Sequence, residues 1–165
     1  MRAFRGNENP HPPKGFAGGE GQLYHSDLTP DRALKRWYTD RITDKKDSPG
    51  KPTSVQLLRD AAKLVDANPE LAKHLEVVRI HEEGPDWIVR DFDPDSVEAR
   101  DPGLQEKERA NAAISASLQL LRMMQKQQPQ NKALRTLLSR LSSLPPSANV
   151  HWAHEAGRIL IIDLM

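Results

Sequence analysis

No cysteine occurs among the 165 residues, which excludes disulfide scaffolds, Cys-ligated zinc and thiol catalysis. Aromatic side chains are scarce at 5%, and apolar residues as a whole reach only 37%, against a usual share of about 45–50%. That points to a modest core carrying a long, poorly packed segment. Long apolar runs are missing too. The longest strongly apolar stretch, Ile159 to Ile162, is four residues, so nothing in the chain spans a bilayer as a helix. Met1 to Pro10 has no apolar stretch of the kind a secretory signal needs, so a soluble, cytoplasmic protein is expected. No Gly-x-x-x-x-Gly-Lys phosphate loop, Gly-x-Gly-x-x-Gly fingerprint or Gly-x-Ser-x-Gly elbow is found. Charge of one sign is also lacking overall: 24 Lys+Arg nearly cancel 23 Asp+Glu, leaving +1. The length is that of one ordinary domain.

What is present is proline and glycine, 13 and 9 of them, concentrated early. Asn9-Pro10-His11-Pro12-Pro13 and Gly18-Gly19-Glu20-Gly21 break any helical or strand period. Residues 1–28 therefore read as an extended or disordered arm, with Phe4, Phe16, Leu23 and Tyr24 as its only apolar anchors. Too little apolar surface is available there to offset the ordering entropy. The rest, 29–165, reads as a single α+β domain.

Within that domain a helix is expected over Pro30–Ile42. Thr29 is a cap, Pro30 suits the first turn, and Leu34, Trp37, Tyr38 and Ile42 share a face. Arg32, Lys35 and Arg36 lie on or beside the other face. A second helix from Thr53 or Ser54 is expected to bury Leu58, Ala61, Ala62 and Val65, with Leu57 and Leu64 widening the stripe, and Asn68-Pro69 opens a short third one. The period then shortens toward two. Val77–His81 and Trp87–Phe92 read as a hairpin, and so do Val150–His154 and Arg158–Leu164. Between them, a helix from Pro102 to about Gln128 and another marked by Leu134, Leu137, Leu138, Leu141 and Leu144, stopped by Pro145-Pro146, form a helical hairpin. The expectation is about five helices, with the two β-hairpins forming one small antiparallel sheet. Ile159–Ile162 does not alternate, so it is expected to be covered on both faces and to close that sheet.

Charge is segregated along the chain: +3 over residues 1–53, −6 over 54–101 and +4 over 102–165. From Arg109 to His154 there is no Asp or Glu, while Arg109, Arg122, Lys126, Lys132, Arg135 and Arg140 are basic. Cations of this kind contact phosphates, and the neighbouring Gln and Asn amides add hydrogen bonds. The plainer account is a solvated helix end with cations near the C-terminal dipole. No aromatic interleaves these charges, so stacking on single strands has no support.

Candidate chemistry is thin. Tyr24-His25-Ser26-Asp27 has triad residue types, but adjacent residues cannot converge on one reacting atom. His151-x-x-His154-Glu155 has the wrong order for a metalloprotease helix and stands in a strand. Asp91-x-Asp93-x-Asp95 lacks the glycine and the final glutamate of a calcium loop. No catalytic residue, cofactor or metal ligand is assigned. The reading that results is a non-catalytic protein-interaction module, a subunit of a larger assembly, that docks through Phe4, Phe16, Tyr24, Arg32, Lys35 and Arg36. The alternative is a nucleic-acid-associated protein that contacts phosphates through Arg122, Lys126, Lys132, Arg135 and Arg140. Third comes a hydrolytic or metal-dependent enzyme built on His81, His154, Asp91 and Asp163. Against that last reading, both aspartates follow their histidines by most of a hairpin, and at about 3.3 Å per residue they are expected roughly 20 Å or more away. Protein subunits are the expected partners, with nucleic acid the alternative and no membrane.

Overall fold

The computed structural model describes residues 9–10, 20–26 and 28–165. Its elements run β1 (Asn9–Pro10), β2 (Gly21–Ser26), β3 (Thr29–Trp37), a 3-10 turn (Thr39–Arg41), α1 (Lys51–Asp66), α2 (Pro69–Ala72), β4 (Leu75–Val77), β5 (Ile80–Glu83), β6 (Trp87–Asp91), β7 (Val97–Glu98), α3 (Lys107–Gln127), α4 (Lys132–Ser142), β8 (Val150–Ala153) and β9 (Arg158–Ile161). The α+β class is as expected. Among the described residues the count is corrected to four α-helices, and the one sheet becomes two, ordered β1-β2-β3-β6-β5 and β4-β9-β8-β7. The chain forms two compact units: Met1–Gln56 with Arg79–Pro94, and Leu57–Val78 with Asp95–Met165.

The missing fifth helix is the expected one at Pro30–Ile42. Thr29–Trp37 is instead the middle strand of the first sheet, antiparallel to β2 on one side and β6 on the other. Its apolar spacing suits a helix, but two neighbouring strands satisfy its backbone and cover both its faces. Leu34 packs with Val89, Tyr24 and Trp87 on one face, while Trp37 packs with Val55, Ile88 and Ile80. Non-local pairing of this kind overrides a weak local preference. Pro30 is tolerated because it stands at the start of the strand, before the pairing with β6 begins at Arg32.

β2 lies inside the stretch read as an arm. Leu23 is buried and Tyr24 joins the Leu34–Val89 cluster. Of the four apolar anchors, Leu23 is thus a buried core residue and Tyr24 packs half-buried against the core of the first sheet, whereas Phe4 and Phe16 lie outside the described residues. The local apolar content of Gly21–Ser26 is small, and pairing with β3 supplies what that content lacks. The first turn of α1 is capped from a distance. The Asp44 carboxylate accepts from Gly50 N at 2.7 Å and from Thr53 Oγ1 at 2.8 Å, which starts the helix two residues earlier than expected.

Both β-hairpins form, β5–β6 and β8–β9, but they belong to different sheets. Val77 is the reason. It ends β4, which runs parallel to β9 with Val77 opposite Ile161, and the chain enters β5 only at Ile80. In the second unit, β9 is held between β4 and β8, so Ile159, Leu160 and Ile161 are buried, as their unbroken apolar run requires. The C-terminal strand closes a sheet of its own chain. Trp152 is 1% exposed and its indole N–H donates to Glu106 Oε2 at 3.2 Å.

Candidate functional site

The helical hairpin of the second unit is set up by two apolar stripes. Along α3, Ala110, Ala113, Ile114, Ser117 and Leu121 are buried; along α4, Ala133, Leu134, Leu137, Leu138 and Leu141 are. Ser117 is accommodated because its hydroxyl donates to Ala113 O at 2.8 Å. Asn131 caps α4 by accepting from Leu134 N at 3.1 Å. Burying those stripes turns the remaining faces to solvent. Arg122 and Lys126 stand one turn apart on α3, and Lys132 and Arg135 stand three apart at the start of α4.

The structure sorts the six cations of this region into two groups. Arg109 is engaged: it pairs with Glu106 at 2.8 Å and its guanidinium lies 5.4 Å from the Trp152 ring centre. Arg140 is half-buried, with Nη2 donating to Leu164 O at 3.4 Å. Arg122, Lys126, Lys132 and Arg135 are exposed. Among the described residues, none of these four makes a side-chain hydrogen bond or an ion pair. No acidic residue stands in the first turn of α4, so Lys132 faces the positive end of its own helix uncompensated.

The cations of the first sheet are arranged differently. A helix would have gathered Arg32, Lys35 and Arg36 beside one another; the strand parts them by its two-residue period. Lys35 lies on the Trp37 face, with its ammonium 4.6 Å from the indole centre and 3.0 Å from Glu20 Oε2. Arg36 lies on the opposite face, 3.7 Å from Asp86, and Arg32 shares that face. Tyr24 is occupied in packing, and its hydroxyl donates to Gln22 Oε1 at 2.7 Å.

Two polar pairs were not foreseen. His81 Nε2 lies 2.6 Å from Asp91 Oδ1, and Asp91 Oδ2 accepts from Arg79 N at 2.9 Å. This corrects the expected separation of about 20 Å, which measured distance along the strands only. In an antiparallel hairpin the start of one strand faces the end of the other, and Ile80 indeed pairs with Arg90. The register of the hairpin was the signal that would have found it. The second pair is Ser96 Oγ and His151 Nδ1, at 2.9 Å. It joins residues far apart in sequence through the β7–β8 ladder, where Glu98 faces His151, and no sequence signal announces it.

Neither pair lines the groove of about 220 Å³ between α2 and α3, which is bordered by Pro69, Leu71, Leu120, Met123 and Met124. His81 and His154 belong to different units. Among the described residues, no three of His, Asp and Glu are grouped to hold a metal ion. No helix of the described residues is long and apolar enough to cross a membrane. Comparison with protein-family models, with curated proteins and with solved structures finds no match to this chain.

Proposed function

We propose that this protein is a non-catalytic interaction module, a cytoplasmic component of a larger assembly, that docks on an anionic partner through the α3–α4 hairpin. One observation carries the reading. Four exposed cations on one helical hairpin, Arg122, Lys126, Lys132 and Arg135, have no side-chain partner among the described residues, in a stretch that holds no Asp or Glu. Unpaired charge of one sign raises the local concentration of oppositely charged partners and speeds their association. The docking role expected for Phe4 and Phe16 falls outside the described residues.

The test is binding of the full chain to three polyanions at low salt: heparin, polyglutamate and duplex DNA. At least one is expected to bind, and the triple variant Lys126→Ala/Lys132→Ala/Arg135→Ala is expected to lose most of that affinity while keeping its circular dichroism spectrum. No binding to any of the three, or binding that the variant retains, would remove the reading.

A further inference from the structure

We infer that the solvent face of the α3–α4 hairpin takes the phosphate backbone of a double-stranded nucleic acid. This rests on the proposed reading of the same surface and narrows the anionic partner to one class. One observation favours phosphate over the carboxylates of an acidic protein, a second favours a duplex over a single strand, and a third explains why the surface takes an anion.

The first is what the surface offers. Beside Arg122, Lys126, Lys132 and Arg135 it presents exposed amides, Gln127 and Gln130 among them. Backbone phosphates are bound by this mixture of Arg, Lys and amide side chains. Protein interfaces, by contrast, are depleted in Lys and draw their energy from buried aromatic and Arg anchors. No Phe, Tyr or Trp occurs between Phe92 and Trp152, so this surface has no aromatic anchor to give a protein partner.

The same absence decides between single and double strands. Proteins that hold single strands stack the bases on aromatic rings, and neither α3 nor α4 carries one. A duplex keeps its bases stacked on one another and asks only for backbone contacts.

The third observation is electrostatic. No carboxylate is present from Arg109 to His154, so no acidic side chain within this stretch neutralises the four cations; the C-terminal dipole of α3 offsets only Lys126, in its last turn. Lys132 and Arg135 also stand in the first turns of α4, where the helix dipole adds positive potential. A bound phosphate relieves both repulsions at once. Arg122 and Lys126, one turn apart, are separated by about 6 Å along the axis of α3, which lets both reach one stretch of backbone.

The contact is with phosphate, so affinity is expected to be independent of base sequence and steeply dependent on salt. Four neutralised phosphates give a slope of about −3.6 in log K against log salt, at about 0.9 for each. Between 50 and 200 mM salt that is a loss of about 150-fold. The experiment follows fluorescence anisotropy of two labelled 20-base-pair DNA duplexes of unrelated sequence, a duplex RNA, a single strand and polyglutamate, each titrated with the full chain. The expected result is equal affinity for the two DNA duplexes and weaker binding of the single strand and of polyglutamate. In Lys126→Ala/Lys132→Ala the slope is expected to fall to about −1.8. The duplex RNA arm distinguishes the two sources of the same phosphate chemistry, and either duplex binding with that slope supports the inference. Tighter binding of polyglutamate, lost in the double variant, would overturn the inference and leave the anionic-partner reading standing. Tighter binding of the single strand, or a slope unchanged by the double variant, would overturn the inference as well. No binding to any probe at 50 mM salt would overturn both. Met123, 63% exposed at the flank of the surface, supplies a control: Met123→Ser is expected to leave duplex affinity unchanged, and a tenfold loss would overturn a contact made through charge and phosphate alone.

Discussion

Gly21 shows how a single atom is excluded. A Cβ at this position would lie 2.1 Å from Arg36 O and 2.8 Å from Trp37 Cα, both backbone atoms of the neighbouring central strand. No side-chain rotation relieves that contact, so β2 or β3 must shift. Gly21→Ala is expected to destabilise the protein by about 1–3 kcal/mol through overpacking, measured as a lower urea midpoint at unchanged slope. Glu70 shows the electrostatic counterpart. Lys73 Nζ donates to its Oε1 at 2.8 Å; that hydrogen bond first, and then the ammonium charge, hold the carboxyl below its ordinary value. A folded-state pKa lowered in this way means a contribution to stability that is present above the unfolded pKa and lost as pH falls through the folded one. An NMR titration of the Glu70 side chain is expected to give a midpoint below that of a free glutamate, and Lys73→Met is expected to bring it back up. A midpoint unmoved by Lys73→Met would show that the pair does not form in solution.

Among the elements, α4 is where stability and binding pull in opposite directions. Its cap is a single side chain, and Asn131→Ala is expected to cost about 0.5–2 kcal/mol by leaving Leu134 N–H unsatisfied. One residue on, Lys132 places a positive charge at the positive end of the helix. Lys132→Glu reverses that and is expected to raise stability by about 0.3–1 kcal/mol, read from thermal or urea unfolding, while weakening duplex binding. A destabilised Lys132→Glu would mean that the lysine holds the fold and is not kept for a ligand. The elements also divide by how well their own residues announced them. The leucine stripe of α4 and the alanine-rich face of α3 are amphipathic over many turns and both helices form, but α3 starts at Lys107 rather than at the expected Pro102, because Pro102-Gly103 leads into a turn, with Gly103 at positive φ, before the helix begins. Thr29–Trp37 has a cap, a proline and a helical spacing, yet it is a strand. Its deciding partners, Leu23 and Ile88, are supplied by other segments.

Taken whole, the molecule hangs its second unit on its last strand. β9 is the only strand of that sheet with both β4 and β8 beside it, and Ile159 and Ile161 are fully buried. Ending the chain at Gly157 removes that centre and orphans two strand edges. The truncated chain is expected to lose the cooperative unfolding of the second unit and the near-ultraviolet signal of Trp152. A truncated chain that keeps both would mean that β4 and β8 can pair without it. The sheet could be read as needing Ile159–Ile162 from the apolar run alone. That its neighbour would be β4, running parallel, could not.

Local chemistry was enough to establish several features: the class of the fold, the helical hairpin, both β-hairpins and the acid-free stretch from Arg109 to His154. Each follows from residues close in sequence, where periodicity, capping and turn composition act directly. The meeting of His81 with Asp91 follows from the register of one local hairpin, whereas the division of the two β-hairpins between two sheets depended on long-range pairing, as did the conversion of Thr29–Trp37 to a strand and the meeting of Ser96 with His151. The same holds for the candidate surface. The sequence supplied six cations, and packing chose among them: Trp152 and Glu106 hold Arg109, the C-terminal backbone holds Arg140, and four are left facing solvent. A side chain's availability depends on what the rest of the chain places beside it, and local residue preferences carry no record of that.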